Sequence, residues 1–239
     1  MKNEWFSYIK IDEIDRCVHT SGITFEDFYN GIENKPLNLL VLSGWIYRAD
    51  YYYSPELMVE YIPAKKMEEF SKSEIQDFED FCWLDFDNEE NLKTVSSQEL
   101  AEFLYFSHMV KPMKDFRFKS IGNKYAYWTH DDGWYSKVFL YDTEKYKQII
   151  EYIIRKKLKG RKKTIAPIPS EFMDRIYTLC LDGAVIDFEN SSFSGVHIYL
   201  VGEHNGMDSI HKKLDQLRTQ LQSIFLEYDT DIKKWRIYE

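Results

Sequence analysis

Apolar residues in this chain recur with two alternating periods, one helical and one strand-like, and each period lasts only for a short segment. Spacing at i, i+3 and i+4 predicts amphipathic helices, whereas alternation and short aromatic runs predict strands. Helices are expected over 24–32, 56–61, 65–83, 97–110, 143–158, 171–181 and 208–227, and strands over 37–42, 45–53, 125–129, 134–141, 184–188, 196–201 and 232–238. Because the two types alternate irregularly and hairpins join several strands, we expect an α+β fold with mixed or antiparallel sheets and packed helices.

Local signals support several of these elements. Ser96 and Glu99 have the spacing of a capping box, which predicts a helix start there. Asp132-Gly133 separates two aromatic runs and favours a tight hairpin turn. The apolar seam of the last helix, from Ile210 to Ile224, fits either docking on the chain's own sheet or a dimer contact.

A chain of 239 residues forms one large domain or two small ones, since single cores rarely grow beyond about 250 residues. Its 44% hydrophobic and 17% aromatic content excludes a disordered chain. The acidic, polar segment 85–97 has the composition of a linker. It predicts an acidic, aromatic-rich α+β part over 1–90 and an α+β module over 97–239.

Several classes of protein are not indicated by the sequence. No apolar run approaches the roughly 18 residues of a membrane span, and the start resembles no secretion signal, so we expect a soluble, cytoplasmic protein without a membrane partner. Cys17, Cys82 and Cys180 are widely spaced, which favours buried core thiols over disulfides or a zinc site. The chain has no nucleotide-binding glycine motif and no GxSxG motif, and no cofactor is expected.

Charge is distributed unevenly along the chain, whose net charge is −9. Residues 1–100 hold 21 acids and 9 bases, and residues 101–239 hold 19 acids and 22 bases. An acidic first part repels duplex nucleic acid and suits a basic protein partner, although the same charge also serves solubility. The candidate partner-binding residues are Asp77, Glu79, Asp80, Asp85 and Asp87.

The best chemical candidate is the segment His130-Asp131-Asp132. Imidazole and carboxylate groups can bind a metal that activates water for hydrolysis. Because the three side chains diverge in a strand and turn, further ligands would have to come from elsewhere, such as His108 or the group His197, Glu203 and His204. The alternative is an ordinary turn in which Asp131 bonds its own backbone. The sequence therefore predicts no metal site, because no complete set of ligands can be assigned.

A basic run begins in the last turn of the helix predicted over 143–158 and continues beyond it. Such a run can bind the phosphates of RNA or single-stranded DNA without reading sequence. It can equally be a solvated helix end, where cations complement the helix dipole. Its seven bases are Arg155, Lys156, Lys157, Lys159, Arg161, Lys162 and Lys163.

The segment ELAEFLYFSH (99–108), the pair Lys111-Pro112 and the segment HDDGW (130–134) resemble a group of small, uncharacterised soluble proteins of Gram-positive bacteria. The resemblance covers roughly residues 97–188. Some members carry the label oxalate:formate antiporter, which a chain without a membrane span contradicts. The resemblance implies no assigned chemistry and no site residue. It implies that residues 97–239 recur as a module without the acidic first part.

These observations favour a noncatalytic bacterial protein that acts through protein–protein interaction. An immunity or antitoxin-like protein that neutralises a basic partner is one concrete form, and a regulatory protein is another. The alternatives are a metal-assisted hydrolase centred on His130 and nucleic-acid binding through 155–163. A monomer or a homodimer is expected.

Overall fold

The computed structural model describes residues 5–43, 52–72, 81–130, 135–159, 165–189, 194–203, 207–220 and 223–239. The chain divides into two compact units. Unit 1 comprises residues 1–23, 30–33 and 143–239, and unit 2 comprises residues 24–29 and 34–142. The boundary expected at 85–97 therefore lies inside unit 2, and the first strands group with the C-terminal part of the chain.

The described elements are helices and antiparallel strands, which agrees with the α+β expectation. The helices are α1 (Phe25–Gly31), α2 (Met67–Ser71), α3 (Ser97–Met109), α4 (Tyr146–Lys159), α5 (Ser170–Asp182) and α6 (Met207–Gln220). The strands are β1 (Phe6–Asp12), β2 (Cys17–Ser21), β3 (Asn38–Ser43), β4 (Tyr52–Ser54), β5 (Val59–Ile62), β6 (Phe81–Phe86), β7 (Tyr125–His130), β8 (Tyr135–Leu140), β9 (Ala184–Asp187), β10 (Gly195–Leu200), β11 (Ile224–Asp229) and β12 (Lys234–Tyr238). Short 3₁₀ turns precede α2, α3 and α4.

Unit 1 contains an antiparallel sheet in the order β12-β11-β10-β9-β1-β2. Helix α6 packs on this sheet through Ile210, Leu214 and Leu217, which share a buried cluster with Tyr8 and Tyr199. The apolar seam of α6 thus docks on the sheet of its own unit, as one of the two sequence interpretations proposed. Helix α5 also contacts β1, β9 and β10.

A buried ion pair joins α6 to this sheet. The carboxylate of Asp187 on β9 is 0% exposed. Arg218 on α6 donates from Nε and Nη2 to its two oxygens, with both distances 2.8 Å. Arg218 also contacts Glu189 at 2.9 Å. Because a buried carboxylate is costly without a partner, this bidentate bond fixes the position of α6.

Unit 2 contains an antiparallel sheet in the order β8-β7-β6-β3-β5-β4. Trp83 on β6 and Tyr127 on β7 are register partners whose rings stack with centroids 5.0 Å apart. Phe25 and Phe28 from α1 pack against these two rings at 5.2 to 6.0 Å. Such aromatic packing buries large apolar areas and forms the centre of this unit.

Three expected helices were wrong in part. Residues 59–62 form β5 instead of a helix, because Met58 has a left-handed φ of 55° and Val59–Ile62 pair with β3 and β4. Residues 81–83 belong to β6, whose side chains are all buried, and an uninterrupted apolar run of this kind does not distinguish a strand from a helix. Helix α6 ends at Gln220, and residues 224–227 instead pair with β10 and β12.

The capping box of α3 is present as predicted. The Ser96 side chain accepts a hydrogen bond from the Glu99 backbone N–H at 3.2 Å. The Glu99 side chain in turn accepts a hydrogen bond from the Ser96 backbone N–H. We expect Ser96→Ala to lower the free energy of unfolding by about 1 kcal/mol. Ser97→Ala is the matched control, since Ser97 is exposed at the first helical position. Urea unfolding measures both, and equal midpoints for the two variants would contradict the role of the cap.

Candidate protein-interaction surface

The net charge of the protein resides in unit 2. Unit 2 has 21 acidic and 12 basic residues, whereas unit 1 has 19 of each. Dividing the chain into its two units separates the net charge more completely than dividing the sequence after residue 100, because unit 1 then has no net charge. The net negative charge that attracts a basic partner at long range therefore belongs to unit 2.

Acidic and aromatic side chains come together where β4 and β5 meet the segment that follows β6. The Tyr61 hydroxyl donates to Glu89 at 2.9 Å, and the Tyr61 and Tyr52 rings lie 5.7 Å apart. Among the described strands, β4 lies at the outer end of the sheet order. We call this region the acidic tyrosine edge, and it comprises Tyr52, Glu56, Tyr61, Glu89 and Glu90, while Tyr53 points to the opposite face of β4.

The pKa of Tyr61 indicates that the carboxylates of Glu56 and Glu89 lie close to the same hydroxyl group. Burial, the hydrogen bond to Glu89 and the charges of Glu89 and Glu56 together raise the pKa of Tyr61 to about 12. Glu56 and Glu90 also both act on Lys93, whose pKa they raise. Glu56, Glu89 and Glu90 therefore form one negative cluster, although Glu56 is 33 positions from Glu89 in sequence numbering.

Local structure explains how this edge is presented. The Asn88 side chain accepts a hydrogen bond from the Glu90 backbone N–H at 3.0 Å and caps the 3₁₀ turn Glu89–Thr94. This cap fixes where the turn begins, and Glu89 and Glu90 are its first two residues, both of which are exposed. Tyr53 is exposed on β4, and Lys65 lies over the Tyr52 ring at 4.6 Å from its centroid. The edge thus offers aromatic rings next to carboxylates.

The predicted acidic residues divide into three groups. Asp77, Glu79 and Asp80 lie outside the described residues. Asp87 is exposed and pairs with Lys124 at 2.8 Å. Placing Asp85 on a partner-binding face was wrong, because its side chain is 1% exposed and belongs to the core.

Asp85 has a structural role in unit 2. Its Oδ1 accepts hydrogen bonds from the backbone N–H groups of Lys124 at 2.8 Å and Tyr125 at 2.6 Å. Burial raises the pKa of Asp85 to about 7, against the opposing effect of these two N–H donors. Asp85 therefore positions the start of β7 and presents nothing to a partner.

The structure describes only part of the predicted hydrolytic site. His130 is exposed at the end of β7 and stacks on Trp128 at 5.4 Å, while Asp131 and Asp132 lie outside the described residues. Within the described part of the chain, no group of three or more His, Cys, Asp or Glu side chains could hold a metal ion. The thiols of Cys17, Cys82 and Cys180 are buried, as expected of core residues.

The other histidines proposed as ligands have different surroundings. His108 is exposed near the end of α3. His197 is half-buried, and its Nδ1 lies 2.8 Å from the Ser223 hydroxyl. Burial lowers the pKa of His197, which favours a neutral imidazole. Glu203 is exposed, and His204 lies outside the described residues.

The basic run is partly engaged within unit 1. Arg155 contacts Glu151 at 3.2 Å and donates to the Ile165 carbonyl at 2.9 Å. Lys156 and Lys157 lie 5.9 and 5.5 Å from the ring centroids of Tyr152 and Phe188. Lys159 ends α4, and Arg161, Lys162 and Lys163 lie outside the described residues. Arg155 thus contributes to packing.

Sequence reasoning missed most of the acidic tyrosine edge. It treated 85–97 as a linker, so Glu89 and Glu90 received no role, and it placed Glu56 in a helix. The available signal was the tyrosine run 51–53 next to acidic segments. Exposed tyrosines are typical of interaction surfaces, where aromatic rings supply contact area.

Comparisons of the whole chain add no family to this description. Among the described residues, no helix has the length and apolar content needed to cross a membrane. The resemblance over residues 97–188 stays a prediction. No protein-family model, curated protein or solved structure matches the chain.

Proposed function

We propose that this chain is a noncatalytic interaction protein whose acidic tyrosine edge binds a cationic surface of a partner protein. The observation that carries the proposal is the convergence of Glu56, Glu89 and Glu90 beside the buried Tyr61 and the half-buried Tyr52, in the unit that holds the entire net charge of −9. An immunity or antitoxin-like protein that neutralises a basic partner is the concrete form that we favour.

The proposed binding combines two physical effects. Carboxylates accelerate the encounter with a basic partner and disfavour acidic ones. Tyrosine rings then supply contact area with little loss of side-chain freedom, and their hydroxyls form hydrogen bonds. Lys93 is the one described cation bonded to Glu90, at 2.8 Å, and both side chains are largely exposed, so a partner can displace it at little cost.

The proposal predicts that charge at this edge decides which proteins bind. The variant Glu56→Lys/Glu89→Gln/Glu90→Lys reverses the edge and keeps an acceptor for Tyr61. The control Asp182→Lys/Glu203→Gln/Asp231→Lys makes the same change of charge at exposed positions of unit 1. Tagged wild-type and variant chains are used to capture partners from extracts of the source cells.

We expect the wild type and the control to retain the same basic partner, with recovery that falls as salt rises. The edge variant is expected to lose at least about 90% of it, since reversed charges replace attraction by repulsion. Equal recovery by the edge variant would contradict the proposal. Circular dichroism confirms that the variants are folded.

A further inference from the structure

Unit 2 also carries a basic surface, which is built on the segment that follows α3. Phe116 and Phe118 are buried in this segment, while Arg117 and Lys119 between and after them are exposed. The Asn123 side chain holds the segment by accepting from the Phe118 N–H at 2.7 Å and donating to the Phe116 carbonyl at 2.9 Å. The exposed bases are thus mounted on a fixed backbone.

This segment runs back along α3. The Phe118 ring lies 4.5 Å from the Phe103 ring, and the Ser120 N–H donates to Glu99 at 3.3 Å. Arg117 lies over the Tyr141 ring, 5.0 Å from its centroid. The segment therefore lies beside α3, and Arg117 and Tyr141 are neighbours at its surface.

Large apolar side chains are exposed at the end of α3, in this segment and next to Arg117. Each of the three is 44 to 60% exposed, and they are Met109, Met113 and Tyr141. Four bases accompany them, namely Lys111, Lys114, Arg117 and Lys119, all of which are exposed. We call these seven residues the basic apolar surface.

The lysines of this surface, Lys111, Lys114 and Lys119, form no hydrogen bond or ion pair in the described part of the chain, although the exposed Asp115 and Asp142 adjoin it. Asp115 is the one acid between residues 108 and 119, and its carboxylate accepts the Arg117 backbone N–H at 3.3 Å. In a unit with 21 acids, this separation of charge leaves the basic apolar surface available for an acidic counterpart.

We propose that the basic apolar surface binds the acidic tyrosine edge of a second copy of this chain. The inference rests on the proposed function, because it names the cationic surface that the edge binds. Lysines of one copy face Glu56, Glu89 and Glu90 of the other. Methionine side chains pack against Tyr52, a contact that sulfur and aromatic rings favour.

The two surfaces are different patches of the same chain, so the contact is heterologous. Each copy uses its edge for one neighbour and its basic apolar surface for another, which gives head-to-tail assembly. Electrostatic attraction makes this assembly sensitive to salt.

Charge reversal followed by sedimentation velocity tests the inference. The edge variant is Glu56→Lys/Glu90→Lys, and the surface variant is Lys114→Glu/Lys119→Glu. A combined variant carries all four changes and so exchanges the charges of the two surfaces. The control Lys145→Glu/Lys212→Glu changes two exposed lysines of unit 1.

We expect the wild type and the control to form concentration-dependent assemblies. Either single-surface variant should associate at least about tenfold more weakly, because like charges then face each other. The combined variant should regain association, since its charges are again complementary. A folding defect would not be rescued by two further substitutions.

Three results would overturn the inference. These are a wild type that stays monomeric, a surface variant that associates normally, and a combined variant that stays monomeric. If the wild type is monomeric and the edge variant still loses a captured basic partner, the self-contact is wrong while the proposed function stands.

Discussion

Replacing Arg218 with methionine is expected to lower the free energy of unfolding by about 3–5 kcal/mol. The guanidinium holds both oxygens of Asp187, which is fully buried. Methionine retains an apolar chain of similar length but leaves this carboxylate without its bidentate partner. Urea unfolding of the whole protein, followed by far-UV circular dichroism, measures the loss.

Restoring neutrality should recover most of that loss. In Arg218→Met/Asp187→Asn the buried charge is absent, so we expect the double variant to be more stable than Arg218→Met alone. Arg218→Lys is expected to fall between them, since an ammonium group cannot form the two parallel bonds of a guanidinium. If Arg218→Met unfolds at the wild-type urea concentration, this ion pair does not hold α6 in place.

Removing the carboxylate of Asp85 is expected to cost about 3 kcal/mol in unit 2. In Asp85→Ala, the backbone N–H groups of Lys124 and Tyr125 lose their acceptor inside the core, and each unsatisfied donor costs about 1–3 kcal/mol. Asp85→Asn keeps an oxygen acceptor and is the matched control. Comparable destabilisation by the two variants would show that Oδ1 does not position β7.

Asp85 also makes stability depend on pH. The pKa of Asp85 is about 7 in the folded protein, above the roughly 3.9 of an unfolded chain. Between these values the unfolded chain has released a proton that the folded protein keeps, so stability falls as pH rises from about 4 to 7. The full decrease is on the order of 4 kcal/mol.

Asp85→Asn removes this titration. We expect the wild type to become less stable between pH 4.5 and 7.5 relative to Asp85→Asn, with the difference read from urea midpoints at each pH. A difference that is constant over this range would mean that Asp85 does not titrate there.

The sequence predicted those elements whose signals are local. The capping box at Ser96 lies at the start of α3, and the Asp132-Gly133 pair separates strands β7 and β8. It failed where tertiary pairing overrides spacing. All six side chains of β6, including Trp83, are buried, so the strand is covered on both faces. Its nearly continuous apolar run therefore lacks the alternation of a half-exposed strand and fits a helical spacing equally well.

From the sequence, the candidate surface could be predicted only as an excess of acidic residues in the first part of the chain. Tyr61 and Glu89 are 28 residues apart and meet because β5 and the end of β6 flank the same strand, β3. Composition cannot distinguish the buried Asp85 from the exposed Asp87 two residues later, since both belong to one acidic segment. Which acids share a surface is decided by strand order.

Carbodiimide cross-linking tests the central claim most directly, because it joins a carboxylate to an amine only where the two are in contact. The gently purified protein is treated, and the linked peptides are identified by mass spectrometry, with an isotope-labelled copy to mark links between chains. The account predicts that Glu56, Glu89 or Glu90 is joined to lysines of another chain. Intermolecular links confined to other carboxylates, with these three unlinked, would contradict it.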